Sequence, residues 1–254
     1  MPRAERTRDE SATAPTASSR LSDLRPGSRR KATAPTVVLL VRHGATTTTG
    51  KELPGRAPGL HLADAGRDQA ERVAARIAKM AGVDAPTTNG KSAGAPRVTA
   101  VYASPLERTR ETAAPIARLL GHDVRVDDGL LELDVGDWTG LELKAARKRK
   151  EWTTIQRYPS GFTFPGGELF VAMQARITGT IDRLRAAHPG QTIVAVSHAD
   201  PIRAAVAHAM GTHLDLFQRV VVSPCSLTAI AYGDEGPTVL TVNDTGASGP
   251  LVPS

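Results

Sequence analysis

Two arginines and two histidines of this sequence each stand close behind a short apolar segment that is typical of a buried strand. Arg42 and His43 end the first such segment, Arg108 comes shortly after a second, and His198 directly follows a third. Guanidinium groups bind phosphate oxygens bidentately and stabilise the charge that develops during phosphoryl transfer. An imidazole can be the nucleophile and carry the phosphoryl group covalently, which divides a difficult hydrolysis into two steps. Together the four residues predict a phosphoryl-transfer site.

Such a reaction also needs an acid that protonates the leaving alkoxide. A carboxyl group near concentrated negative charge can have the raised pKa that this role requires. Glu132 is the best candidate, because it follows a predicted strand at 123–126 in the segment LLELDVGDWTG. Asp134 and Asp137 are alternatives on position alone.

The elements that must position these residues alternate between strand and helix patterns. This alternation predicts an α/β fold, a mostly parallel mixed sheet with helices on both faces, in three layers. Open sheets of this kind bind ligands at the carboxyl ends of their strands. We therefore expect the four basic residues at one edge of the sheet. The predicted strands cover residues 37–42, 98–102, 123–126, 191–197, 219–223, 226–232 and 238–243.

Helix signals accompany the predicted strands. An apolar stripe predicts a helix over 64–82. Ser104, with proline next and glutamate three residues later, predicts a capping box that places Arg108 in the first turn of a helix. Either Asp200 or Ser197 could cap the helix that follows His198.

Three segments are less regular. Residues 84–97 indicate a flexible surface insertion without chemistry. Residues 141–150 predict a basic helix, and 151–167 lose regular period while carrying aromatic residues and prolines. Residues 141–167 could form a lid over the site, and ordinary packing explains the same pattern equally well.

Residues 1–35 form an Ala, Thr, Ser, Pro and Arg-rich leader, which contains eight basic and four acidic residues of a chain with net charge +6. We expect disorder there and in 246–254, because too little apolar surface is available for burial. The basic residues are scattered, so the high pI does not indicate nucleic-acid binding, and no segment is long and apolar enough to suggest a membrane span. The leader does not match a secretory signal. The one cysteine, Cys225, excludes an internal disulfide, fits a cytoplasmic protein and is expected to be a buried strand residue.

The ordered motifs resemble those of the histidine phosphatase superfamily, also called phosphoglycerate mutase-like. The resemblance covers about residues 36–245 and rests on the segments VRHGAT, LADAGRDQA, VYASPLERTRETA, LLELDVGDWTG, FPGGE and VAVSHADPIRA. It implies a fold without metal or organic cofactor. By position it makes His43 the phosphorylated nucleophile, with Arg42, Arg108 and His198 as the phosphate pocket and Glu132 as the proton donor.

Three positions depart from the family pattern. Thr49 stands where many relatives have asparagine, and a hydroxyl can replace only part of an amide's hydrogen bonding. Ala199 replaces a glycine after the second histidine, and Leu169 replaces a serine after FPGGE. Thr49 and Ala199 are nevertheless predicted to border the substrate.

The resemblance leaves three functions open. The first is a phosphatase that hydrolyses a small phosphorylated metabolite. The second is a phosphomutase, since GDWTG followed by 152–165 looks like actinobacterial proteins often described as probable phosphomutases. The third is a catalytically silent phosphate-binding or interaction protein. The sequence identifies neither the substrate nor the oligomeric state.

Overall fold

The computed structural model describes residues 34–83, 87–88, 91–92 and 97–246, whose centre is a sheet of six strands. The strands are β1 (Thr36–Arg42), β2 (Glu52–Leu53), β3 (Thr87–Thr88), β4 (Lys91–Ser92), β5 (Val98–Ala103), β6 (Val124–Val126), β7 (Leu141–Glu142), β8 (Thr192–Ser197), β9 (Leu227–Gly233) and β10 (Gly236–Asp244). The helices are α1 (Asp64–Met80), α2 (Glu107–Leu120), α3 (Leu143–Ala146), α4 (Trp152–Arg157), α5 (Phe170–Ala187) and α6 (Ala199–Ala209). Four 3-10 helices span Asp128–Leu130, Gly136–Trp138, Pro159–Gly161 and Leu214–Arg219.

The six-stranded sheet has the order β10-β9-β1-β8-β5-β6. Strands β1, β8, β5 and β6 are parallel, and β9 and β10 pair antiparallel on the side of β1. Two further pairs, β2 with β7 and β3 with β4, are separate two-stranded ribbons. The predicted α/β fold with a mostly parallel mixed sheet is confirmed.

Helices cover both faces of this sheet, and β1 contributes alternate side chains to each side. Val38 and Leu40 belong to one apolar cluster, which also contains residues of α5 and α6. Leu39 and Val41 belong to a second cluster with residues of α1 and α2. A strand that is buried on both faces reads as a continuous apolar run rather than an alternating one. This burial explains why the segment before Arg42 is uniformly apolar.

Three predictions along the chain need correction. Residues 219–223 do not form a strand, because the carbonyl oxygens of Val220 and Val222 accept hydrogen bonds from Arg203 Nε (2.9 Å) and Arg42 Nη1 (2.7 Å) instead of from a neighbouring strand. The basic stretch 141–150 is helical only over α3, and turns follow it. Residues 151–167, predicted without regular structure, contain α4 and a 3-10 turn.

The segment predicted as a lid packs on the protein interior. Phe164, near its end, packs edge to face against Trp138, which precedes the segment, with ring centroids 5.4 Å apart, and the Arg149 guanidinium lies 4.7 Å from the Trp138 ring centroid. Ala146 and Ile155 are buried in the same apolar cluster. The segment is therefore an ordered part of the core, and its role as a lid stays a prediction.

The predicted helix caps and the predicted place of the cysteine also need correction. Helix α2 begins at Glu107 without a side-chain cap, so the capping box at Ser104 does not form, and α6 begins without a cap from Asp200 or Ser197. The hydroxyl groups of Ser104 and Ser197 have other partners, described below. Cys225 is buried as expected but lies in a turn before β9, where its φ of 53° is unusual for a residue other than glycine.

Several predictions fall on residues outside the described ones. Most of the leader 1–35 and nearly all of the segment 246–254 belong to this group, as does most of the insertion 84–97. Inside that insertion, β3 and β4 form a short antiparallel pair. In the described part of the chain, no helix combines the length and apolar character that crossing a membrane requires.

Candidate active site

The carboxyl ends of β1, β5 and β8 lie side by side and bring the predicted residues together. Arg42 is in register with Ser197, and the next residue, His43, donates its main-chain N–H to the Ser197 carbonyl oxygen at 3.0 Å. The neighbouring strand β5 ends in register with β8 and leads through Ser104 into α2, which carries Arg108. His198 directly follows β8. This confirms that the strand ends place these side chains at one edge of the sheet.

The His43 ring is buried, and its hydrogen bond to the main chain fixes which nitrogen carries the lone pair. His43 is only 5% exposed, and its Nδ1 lies 2.8 Å from the Gly44 carbonyl oxygen. A carbonyl can only accept, so Nδ1 carries the hydrogen and Nε2 carries the lone pair. Burial, reinforced by the charges of Arg42 and Arg108, places the pKa of His43 well below its usual value. The neutral imidazole is therefore the form present near neutral pH.

The second histidine lies against the first. The ring centroids of His43 and His198 are 5.1 Å apart, and His198 is fully buried. Its Nε2 is 2.9 Å from the Ser104 Oγ, whereas its Nδ1 has no hydrogen-bond partner among the described residues. Burial and the nearby His43, Arg108 and Arg42 also hold the pKa of His198 well below the usual value. A neutral ring that carries its hydrogen on Nδ1 can donate it to a phosphate oxygen.

Both arginines have buried donors without partners within the described part of the chain. Arg108 is fully buried; its Nη2 donates to the Gly55 carbonyl oxygen at 2.8 Å, while Nε and Nη1 lack acceptors. Arg42 donates from Nη1 to Val222, and its Nε lacks an acceptor. An unsatisfied buried donor on a charged group costs more than about 1 to 3 kcal/mol. A bound oxyanion would supply the missing acceptors.

Glu132 lies close to these cations, and its carboxyl group is an unusually weak acid. Its Oε1 accepts a hydrogen bond from the Leu133 N–H at 2.9 Å. Burial and the negative charge of Asp200 raise the pKa of Glu132 to about 7, although Arg108 and Arg42 act in the opposite direction. At neutral pH a substantial fraction of this carboxyl group therefore holds a proton that it can transfer.

The two alternative acids occupy different environments. Asp134 Oδ1 accepts from the Gly136 N–H at 2.9 Å, and Oδ2 lies 3.7 Å from Arg56, so its carboxylate stabilises a turn. Asp137 is exposed to solvent. The structure favours Glu132 over both.

Thr49 lies in a turn after His43, and Ala199 directly follows His198. The Thr49 Oγ1 accepts from the Thr46 N–H at 2.8 Å and is 3.0 Å from the Thr46 Oγ1, so its hydroxyl is engaged within its own turn. Ala199 is the first residue of α6 and is partly buried. Contact of either residue with substrate stays a prediction.

Several residues around the site were not predicted from the sequence. Ser104 was interpreted as a cap, but its hydroxyl contacts His198. Arg56, Glu168 and Arg176 bind one another and the main chain around Glu132. Their signal was weak, because Arg56 lies 112 residues before Glu168 and no local pattern links it to Glu168 and Arg176. Only the FPGGE motif, which ends in Glu168, marked any of the three.

The geometry defines a class of protein, an α/β protein whose sheet edge brings together two arginines with unpaired buried donors, two neutral imidazoles and a nearby carboxylic acid. Among the described residues, no group of three or more His, Cys, Asp and Glu side chains could hold a metal ion. The family model of the histidine phosphatase superfamily, branch 1, matches residues 38–245. The chain belongs to this superfamily.

Relatives and solved structures agree with this assignment. A bifunctional protein of Mycobacterium tuberculosis is 33% identical over 216 residues, which are 84% of this chain and 55% of the relative. The chain thus spans about half the length of that relative. Phosphoserine phosphatase 1 of Hydrogenobacter thermophilus is 29% identical over 147 residues, 57% of this chain and 70% of the relative. The solved structure of a mycobacterial glucosyl-3-phosphoglycerate phosphatase superimposes with a TM-score of 0.69 at 22% sequence identity. The match covers 83% of this chain and 99% of the solved chain, so the two share the fold.

Proposed function

We propose that the chain is a phosphomonoesterase that works without a metal ion or organic cofactor and hydrolyses a small phosphorylated metabolite through a phosphohistidine at His43. The observation that carries the proposal is the arrangement around this ring. A neutral imidazole with its Nε2 lone pair available lies against His198, and buried donors of Arg42 and Arg108 lack acceptors in the described part of the chain.

The first step transfers the phosphoryl group to the protein. His43 Nε2 attacks phosphorus, the bond from phosphorus to the leaving oxygen breaks, and the Glu132 carboxyl group gives its proton to that oxygen. Arg42, Arg108 and His198 donate hydrogen bonds to the phosphoryl oxygens and stabilise their charge. The product alcohol leaves, and Glu132 is then ionised.

The second step returns the protein to its starting state. Water attacks phosphorus, the bond between phosphorus and Nε2 breaks, and the water proton goes to the Glu132 carboxylate. Inorganic phosphate leaves. Relatives named as a phosphoserine phosphatase and as a probable phosphoglycerate mutase support phosphoryl transfer, and do not define the substrate. The proposal includes a cytoplasmic location, because the single buried Cys225 requires no oxidising compartment.

Release of inorganic phosphate from a panel of phosphorylated metabolites and from p-nitrophenyl phosphate, in the presence of EDTA, tests the proposal. We expect turnover by the wild-type chain and its loss in His43→Ala, with the melting temperature of the variant recorded as a control for folding. An isomeric phosphate ester formed without release of inorganic phosphate would indicate a phosphomutase instead. Absence of both products, with phosphate still bound, would indicate a silent phosphate-binding protein.

A further inference from the structure

Glu132 lies in an irregular segment whose main chain is held by side chains rather than by a sheet or a long helix. The segment 131–134 falls between the 3-10 turns Asp128–Leu130 and Gly136–Trp138. Because the Glu132 carboxylate accepts from the adjacent Leu133 N–H, its direction follows the path of the local backbone. Whatever fixes this backbone also fixes the proposed acid.

Two guanidinium groups converge on the main-chain carbonyl oxygen of Glu132. Arg56 donates to it from Nε at 2.8 Å, and Arg176 of α5 donates from Nη2 at 3.3 Å. Arg176 Nη1 also donates to the carbonyl oxygens of Leu131 at 2.8 Å and Gly129 at 3.0 Å. The two arginines thus bind three carbonyl groups of the segment 129–132, which lies outside the sheet.

Glu168 joins the two arginines into one unit. Its Oε2 accepts from Arg56 Nη2 at 2.8 Å and from Arg176 Nη2 at 2.9 Å, while Oε1 accepts from Arg176 Nε at 3.0 Å. The three side chains are 29%, 20% and 15% exposed in the order Arg56, Arg176, Glu168. Charge-assisted and bidentate bonds with limited solvent contact are stronger and more directional than exposed ion pairs.

The same unit reaches the phosphate pocket through a single peptide group. The carbonyl oxygen of Gly55, directly before Arg56, accepts from Arg108 Nη2 at 2.8 Å. One loop therefore contacts both the cation that would hold the phosphate and the backbone that carries the acid.

We propose that Arg56, Glu168 and Arg176 are positioning residues that set the distance between the Glu132 carboxyl group and the leaving oxygen of a phosphate bound at His43 and Arg108. This inference rests on the proposed function and adds a role for residues that contact neither substrate nor phosphate. An acid acts only within hydrogen-bond reach of the oxygen it protonates, and a displacement of about 1 Å costs on the order of 100-fold in rate.

The test compares Arg56→Met with Glu132→Gln on two substrates. The p-nitrophenolate leaving group departs without protonation, whereas glycerol 2-phosphate has a poor leaving group that requires the acid. For each protein we would measure kcat/KM on both substrates and take the ratio of the aryl to the alkyl value. Arg56→Met should raise this ratio about ten-fold or more over wild type, in the direction set by Glu132→Gln.

Three further variants separate positioning from folding. Arg183→Met is the control, because Arg183 lies on α5, as Arg176 does, and donates to the Asp127 carboxylate at 2.8 and 3.0 Å without contacting Glu132. It should leave the ratio unchanged. Arg56→Lys keeps the charge but replaces the planar guanidinium, which donates from Nε and Nη2, by a single flexible ammonium group, and should give an intermediate ratio even if Arg56→Met unfolds. Arg56→Met combined with Glu132→Gln should have the ratio of Glu132→Gln alone.

The outcomes distinguish the two proposals. Equal losses on both substrates in the Arg56 variants, or a ratio change that adds to that of Glu132→Gln, would overturn the positioning role and leave the proposed function intact. If Glu132→Gln itself treats both substrates alike, Glu132 is not the acid. The proposed mechanism and the positioning role would then both fall.

Discussion

The Oγ of Ser104 lies 2.9 Å from the Nε2 of His198, and both residues are fully buried. When this hydroxyl donates to Nε2, the hydrogen of the imidazole must be on Nδ1, the nitrogen that has no partner in the described part of the chain. Ser104 would therefore set the tautomer in which His198 donates to a phosphate oxygen.

Ser104→Ala should weaken the binding of phosphate because it removes the group that selects this tautomer. We expect about a ten-fold increase in the inhibition constant of inorganic phosphate, which corresponds to about 1.4 kcal/mol. Ser226→Ala is a matched control, since Ser226 is also buried near the ends of β1 and β9 but its hydroxyl has no partner among the described residues. If the two variants bind phosphate equally well, Ser104 does not select the tautomer.

The pH dependence of kcat/KM should report the ionisation of Glu132. Its pKa of about 7 means that the acid is protonated below this pH, so activity on an alkyl phosphate should fall as the pH rises through 7. The pKa of His43 is well below its usual value, so the loss of the neutral nucleophile should occur only at distinctly acidic pH. Titration of glycerol 2-phosphate hydrolysis by wild type and Glu132→Gln checks this. A fall above pH 7 that persists in the variant would assign it to another group.

The same ionisation should lower the stability of the folded chain at high pH. The pKa of Glu132 rises from an ordinary 4.5 to about 7 on folding, so the folded state holds its proton more tightly. The stabilisation that this tighter proton binding gives the folded state is complete below pH 4.5 and disappears as the pH rises through 7. As the pH rises from 4.5 to 8, the free energy of unfolding of Glu132→Gln should therefore increase by about 2 to 3 kcal/mol relative to that of wild type, which corresponds to several degrees in melting temperature. Scans in phosphate-free buffer measure this, and a constant difference would contradict it.

Two glycines of the VGDWTG segment should respond differently to alanine. Gly136 and Gly140 have φ values of 50° and 79°, so alanine is strained by about 1 kcal/mol at either position. A Cβ on Gly136 would also lie 2.1 Å from the Pro165 carbonyl oxygen, whereas nothing lies within 4 Å of one on Gly140. The main chain of the FPGGE motif would have to move in the first case only. Denaturant unfolding should show at least a two-fold larger loss for Gly136→Ala, and equal losses would argue against this contact.

Much of the fold followed from the sequence because its signals are local. All six strands of the central sheet were predicted: five agree within one residue at each end, and the sixth, β10, begins two residues earlier, at Gly236. The failures arose where a distant side chain takes the backbone's hydrogen bonds. Val220 and Val222 resemble a strand by composition, yet Arg203 and Arg42 bind their carbonyl oxygens.

The site was predictable to the extent that it depends on residues at strand ends. Arg42, His43, Arg108 and His198 converge as expected, because parallel strands bring their carboxyl ends to one edge. The supporting groups were not predictable, since Ser104 has a sequence context that equally suits a helix cap. Arg56 lies in a turn and Arg176 on α5, far apart in sequence, and they meet only in the folded chain at the Glu132 carbonyl oxygen.

Detection of a phosphorylated intermediate tests the central claim most directly. The protein would be mixed with radiolabelled substrate, quenched in denaturant within milliseconds, and the labelled peptide identified by mass spectrometry. We predict a label on His43 that is stable in base and labile in acid, that appears at the rate of the first turnover and that is absent from His43→Ala. Full turnover by His43→Ala, or a label on any other residue, would contradict the account.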